Sequence, residues 1–108
     1  MKISALAQNV YQTLKRVPRG KITTYKLLGQ AVGTKAYRAI GTILSNNPYA
    51  PEVPCHRVIA SDGSLGGFMG SKSRKNLSKK SELLSSEGIK MKNNKILNYK
   101  EYLYDFGA

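Results

Sequence analysis

Residues 35–46, "KAYRAIGTILSN", constrain the architecture more than any other segment of this chain. Ala36, Ala39, Ile40, Ile43 and Leu44 recur at i, i+3, i+4, i+7 and i+8, the spacing of a single buried helix face. Arg38, Gly41, Thr42 and Ser45 fall on the opposite side. Upstream, "YKLLGQAVG" reads as a short helix that stops at Gly33, with Thr23 or Thr24 available as its cap. Thr34 is placed to cap the segment that follows. Two short helices joined at a Gly-Thr turn describe a helix-turn-helix. The outward face of the second is small and polar around one arginine, which lets a backbone come close to a nucleic-acid groove. A surface helix carrying a solvated arginine has the same periodicity, so pattern alone leaves both readings open.

The remaining segments add little sheet. Residues 4–17 carry Leu6, Val10, Leu14 and Val17 on one helical face, with Ser4 as N-cap and Pro18 and Gly20 as the stop. "GKITTY" and "VPCHRVIA" read as extended, and "SDGSLGG" as a turn followed by a loop. Residues 71–86, "SKSRKNLSKKSELLSS", form a basic helix ending at Gly88, with a thin apolar face of Leu77, Leu83 and Leu84. The tail "ILNYKEYLYDFGA" spaces Tyr99, Tyr102, Leu103 and Phe106 as a helix would, a stripe suited to packing against the body. Base stacking by its tyrosines is the competing role. The expected fold is mainly α with a short extended segment. It makes a single domain over 1–108, a body of about 1–88 and a tail of about 89–108.

Charge narrows the partners. Eighteen Lys and Arg against six Asp and Glu give +12 on 108 residues, the electrostatic footprint of a protein that meets a polyanion, nucleic acid most often. The N-terminal residues lack the continuous apolar core of a signal peptide, and no apolar run is long enough to span a bilayer. One cysteine cannot form an internal disulfide, which fits a reducing compartment, cytoplasmic or nuclear.

Chemistry concentrates in "EVPCHRVIASDGSLGGF", residues 52–68, which holds the one cysteine, Cys55, and the one histidine, His56. A thiolate is a nucleophile, and basic neighbours favour it. His56 is an available proton acceptor. On a strand, however, adjacent side chains point to opposite faces, so the pair needs a bend at Pro54 or a water between them. Glu52, Asp62, Glu82 and Glu87 are the carboxylates that could orient the imidazole, and spacing does not choose among them. An inert buried thiol is the alternative. One Cys and one His are too few ligands for a metal site. "GSLGG" lacks the Lys and Ser/Thr of a phosphate-binding loop, and no cofactor is expected.

"VPCHRVIASDGSLGGF" resembles the active-site segment of the O6-alkylguanine-DNA alkyltransferases. "TTYKLLGQAVGTKAYRAIGTILSNNP" is similar to that family's helix-turn-helix, and "KSELLSSEG" to its closing "K-x-x-L-L-x-x-E-G" element. The resemblance implies a winged helix-turn-helix-like alkyltransferase C-terminal domain acting as a monomer on double-stranded DNA that contains O6-alkylguanine. It implies that Cys55 takes the alkyl group irreversibly, that His56 removes the thiol proton through a water, and that Glu87 orients His56. Asn47 would brace the turn before the active-site strand, and Tyr25 would crowd the phosphate and help protonate the departing guanine. Arg38 would fill the gap left by the flipped nucleotide. Thr24, Tyr37, Gly41, Thr42 and Ser45 would line the DNA face, here in the minor groove. Val58, Phe68, Met69 and Gly70 would form the substrate pocket, the Val58 carbonyl and the Met69 amide reading the guanine edge. Tyr37 stands where the family usually has Ala, Phe68 where Tyr is usual, and Met69 where a small residue is usual. The Tyr-rich tail also resembles the alkyltransferase-like proteins, which commonly replace the cysteine by tryptophan, bind alkylated DNA without repairing it, and bring in other repair proteins.

Overall fold

The computed structural model describes residues 4–50, 52–66 and 74–107. Among these, the elements run α1 (Ala5–Leu14), β1 (Thr23–Thr24), α2 (Tyr25–Val32), α3 (Tyr37–Ser45), a 3₁₀ turn (Cys55–Arg57), β2 (Val58–Ile59), α4 (Arg74–Ser86), β3 (Met91–Lys92), β4 (Lys95–Ile96) and a second 3₁₀ turn (Tyr99–Tyr102). The fold is mainly helical with little sheet, as the sequence implied. Strands β1 and β2 pair in parallel, Thr23 opposite Val58 and Thr24 opposite Ile59, while β3 and β4 form an antiparallel hairpin.

Local chemistry sets the helix limits. Ser4 Oγ accepts from the Ala7 amide and Thr24 Oγ1 from the Leu27 amide, so each caps a helix N-terminus. Both α2 and α4 end on a left-handed glycine, Gly33 (φ +81°) and Gly88 (φ +88°). In each, the amide after the glycine reaches back to a carbonyl five residues earlier: Thr34 to Gly29 at 2.9 Å and Ile89 to Leu84 at 3.1 Å. Leu84 and Ile89 also pack in one apolar cluster, which fixes where the chain leaves α4.

The structure corrects several expectations. Helix α1 stops at Leu14, yet Val17 is still fully buried because the turn after the helix folds back onto the core. Helix α3 begins at Tyr37, so Ala36 precedes it and is exposed. The Thr34 hydroxyl accepts from the Ala36 amide in a local turn and does not cap the helix. "VPCHRVIA" is extended only at Val58–Ile59, since Cys55–Arg57 is a 3₁₀ turn. The tail is not an α-helix. It is a hairpin with Asn93 and Asn94 at positive φ in its turn, then one 3₁₀ turn and an extended end. Its tyrosines nevertheless pack: Tyr99, Tyr102 and Leu103 lie against one apolar cluster, Tyr104 and Phe106 against the other.

Those two clusters flank the β1–β2 pair. Val10, Leu14, Leu28, Ile40, Leu44, Val53, Cys55 and Val58 belong to the helix-turn-helix side, and Ile22, Ile59, Leu65, Leu84, Ile89 and Ile96 to the side of α4 and the hairpin. Val58 and Ile59 divide between them because adjacent strand residues face opposite ways. The Tyr11 hydroxyl donates to the Ile43 carbonyl at 2.7 Å, tying α1 to α3.

Candidate functional site

Pro54 ends the incoming loop and the chain tightens into the 3₁₀ turn, whose first residue is Cys55, its amide donating to the Val53 carbonyl at 2.8 Å. The thiol is unbridged and 8% exposed, at the edge of the helix-turn-helix core. The turn replaces the strand alternation that would have forced Cys55 and His56 to opposite faces. Among the described residues no hydrogen bond joins the two side chains.

His56 is 3% exposed and its Nε2 lies 2.8 Å from Glu87 Oε2. Glu87 occupies the last position before Gly88, so the glycine-terminated end of α4 delivers the carboxylate to the turn. Arg57 completes the arrangement: Nε and Nη2 donate to the two Glu87 oxygens at 2.8 Å each, and Nη1 donates to the Val17 carbonyl at 2.8 Å. Burial pulls the Glu87 carboxyl upward, but the hydrogen bonds from Arg57 and His56 outweigh it and hold the group down at about 2. An ionised carboxylate only accepts, so Nε2 carries the hydrogen and Nδ1 is left with a free lone pair. Burial lowers the His56 pKa, against the opposing pull of Glu87 and with the help of Arg57 and Lys80. The imidazole is therefore neutral near pH 7 and able to take a proton at Nδ1. Of the four carboxylates the sequence offered, Glu87 is the one bonded to His56.

Sequence reasoning missed Lys80. It is fully buried and its Nζ donates to the Val58 carbonyl at 2.7 Å and to the Leu65 carbonyl. Burial lowers its pKa to about 7, although a negative charge on Cys55 would raise it. Tyr25 starts α2 directly after its cap. Burial raises its phenol, and a charge on Cys55 would raise it further. These effects place Lys80 and Tyr25 within electrostatic reach of the thiol. A lysine inside the thin apolar face of α4 was the signal available in the sequence.

The other expected residues divide into groups. Asn47 Nδ2 donates to the Val53 carbonyl and its Oδ1 accepts from the Tyr49 amide, both at 2.9 Å, so it braces the loop entering the Cys55 turn. The Val58 carbonyl accepts from Lys80 Nζ. On α3, Arg38 and Thr42 are exposed, and among the described residues a β-carbon on Gly41 would meet nothing within 4 Å. Thr42 and Ser45 donate their hydroxyls to carbonyls of their own helix, Arg38 and Thr42 respectively. Thr24 is 5% exposed with its hydroxyl used as a cap. Tyr37 lies against α2: a β-carbon on Gly29 would sit 2.7 Å from its ring. Phe68, Met69 and Gly70 lie outside the described residues.

Comparison with known proteins places this arrangement. The family model described as the 6-O-methylguanine DNA methyltransferase DNA-binding domain matches residues 5–89. The chain belongs to that family. It is 43% identical over 72 residues to a methylated-DNA–protein-cysteine methyltransferase of Pyrobaculum aerophilum, covering 67% of this chain and 45% of that protein. It is 39% identical over 98 residues to a bifunctional methyltransferase/endonuclease of Picrophilus torridus, covering 89% of this chain and 30% of the relative. The chain thus spans less than half the length of either relative. In three dimensions it is similar to S. pombe Atl1, solved in complex with damaged DNA containing O6-carboxymethylguanine, with a TM-score of 0.79 at 25% identity over 96% of this chain and 98% of Atl1. Solved alkyltransferases match a smaller share, such as that of Pyrococcus kodakaraensis with a TM-score of 0.69 at 38% identity over 81% of this chain and 48% of its own. The mainly helical fold is that of the alkyltransferase and Atl1 DNA-binding domains. No described helix is long and apolar enough to cross a membrane.

Proposed function

We propose that this protein removes an alkyl group from the O6 atom of guanine in duplex DNA and keeps it on Cys55. The observation that carries this reading is the retained thiol at the start of the turn, followed by a neutral, carboxylate-anchored imidazole with a free Nδ1. The exposed, small-residue face of α3 enters the duplex, and Arg38 fills the place of the extruded nucleotide. Unstacking a base costs a few kcal/mol, and an inserted side chain and added backbone contacts offset it.

The chemistry is a displacement at the alkyl carbon. His56 Nδ1 takes the thiol proton through an intervening water. The thiolate attacks the carbon, the carbon–O6 bond breaks, and its electron pair stays on guanine, which takes a proton from the Tyr25 hydroxyl. The proton held on His56 restores Tyr25. A thioether forms as the ether-type bond is lost, so no oxidant or reductant is needed. The thioether has no return path, so each molecule acts once. Phe68, Met69 and Gly70 are assigned to the wall of the pocket, and Thr24, Tyr37, Thr42 and Ser45 to support of the DNA face. The whole of 1–108 works as a single domain.

The second reading is a sensor that flips the alkylated base without transfer and brings in another repair protein. The near-complete overlap with Atl1 favours it. Mass spectrometry separates the two: after incubation with duplex carrying O6-methylguanine, transfer adds one methyl group to the Cys55 peptide. An unmodified peptide alongside persistent lesion DNA removes the first reading.

A further inference from the structure

The matched family segment ends at residue 89, and the next fifteen residues bond to two parts of the site at once. On one side the tail extends β1. The Ile22 amide donates to the Tyr102 carbonyl at 2.9 Å, the Tyr104 amide returns to the Ile22 carbonyl at 2.7 Å, and Leu103 lies in parallel register with Ile22. Three residues beyond Ile22 is Tyr25. On the other side the hairpin grips the turn after β2. The Leu65 amide donates to the Asn94 carbonyl at 3.0 Å, the Ile96 amide donates to the Gly63 carbonyl at 2.9 Å, and Ser64 bridges Lys95 in antiparallel register.

Tyr99 closes the grip. Its hydroxyl donates to the Ser61 carbonyl at 3.1 Å. Its ring covers Gly63 so closely that a β-carbon there would lie 2.5 Å from it, and Gly63 has φ +88°. Only glycine suits both demands. The turn so held leads directly to Gly66, whose β-carbon, were one present, would lie 3.5 Å from the Tyr25 ring. Tyr25 and Gly66 thus face each other at van der Waals distance, and the tail is bonded to the segment before each.

We propose that residues 91–104 form a positioning clamp that sets the gap between Tyr25 and Gly66, with Tyr99 its principal positioning residue. This rests on the reading that the Cys55 site admits an alkylated guanine. Without the clamp, the turn 60–66 would keep its floor, where Lys80 bonds the Val58 and Leu65 carbonyls, but lose its outer wall. The tail residues touch no reacting atom and act through Tyr25 and Gly66.

The experiment uses the full chain with Tyr99→Ala, Tyr99→Phe and Gly63→Ala, each checked for a cooperative melt. Without DNA, amide exchange at Ser64–Gly66 and the rate of Cys55 alkylation by iodoacetamide should rise about tenfold in Tyr99→Ala. Gly63→Ala, which displaces the ring from its other partner, should do the same, and Tyr99→Phe should stay near the parent. With DNA, the preference for O6-methylguanine duplex over undamaged duplex should fall about tenfold in Tyr99→Ala while undamaged-duplex affinity stays within about twofold. Unchanged exchange and alkylation in the folded variants overturn the clamp whether or not the parent transfers methyl groups. Equal loss for both duplexes reduces it to general scaffolding and also overturns it. A parent that binds the lesion selectively yet never methylates Cys55 defeats the transfer reading and leaves the clamp standing.

Discussion

His56 is 3% exposed, fixed by a carboxylate that is itself forked by an arginine, whereas Arg38 stands in solvent on a helix whose neighbouring glycine meets nothing among the described residues. The first region is pre-organised at the cost of burying charge. The second leaves its cation exposed to solvent. The contrast teaches a division in which the His56–Glu87–Arg57 groups are held in a low-dielectric setting that makes each hydrogen bond count.

Substitutions can break that contrast. Cys55→Ser should abolish methyl transfer outright, read as no mass gain on the residue 55 peptide. Lesion affinity should stay within about twofold in a binding titration, because the hydroxyl keeps the shape but lacks a thiolate's nucleophilicity. Glu87→Ala should cost about 3–5 kcal/mol in denaturant unfolding, since it strands Arg57 and His56 inside. The parent should also lose stability in acid. The Glu87 pKa is depressed from 4.5 to about 2, so its contribution is complete above about 4.5 and lost as pH falls through 2. His56, also lowered, acts in the same direction. Glu87→Gln should flatten that acid limb.

Lys80 predicts the opposite limb. Its pKa falls from 10.5 to about 7 on folding, so the unfolded chain binds more protons between those values and stability should rise with pH across that window. Chemical denaturation of Lys80→Met at several pH values should show the rise gone. On the recognition face, Arg38→Ala should weaken lesion-duplex binding about tenfold, and Lys79→Ala about twofold through one lost phosphate contact. Equal losses would remove the wedge role. The smallest effect sharpens the contrast most. Gly41→Ala meets no neighbour among the described residues and should add about 1 kcal/mol to stability. It should nonetheless weaken duplex binding, because the methyl group holds the groove away. Both changes are readable in one melt and one titration.

The sequence by itself determined the helices of the body, because capping hydroxyls, stop glycines and a 3.6-residue apolar period are local signals. Ser4, Gly33, Gly88 and the Ile40/Leu44 face could all be read along the chain, and the α2 cap was narrowed to Thr23 or Thr24. The Cys55–His56 adjacency was equally visible, and the resemblance selected Glu87. Tertiary structure decided the rest. No spacing says that a glycine-ended helix brings Glu87 to His56 across 31 positions. None says that Arg57 forks that carboxylate, that Lys80 lies inside beneath two carbonyls, or that the Tyr37 ring rests on Gly29. The tail makes the same point, since its aromatic spacing fits a helix while the backbone is a hairpin and an extended end. Its amides found partners in β1 and in the turn after β2, and those bonds to distant carbonyls outweighed local helical preference.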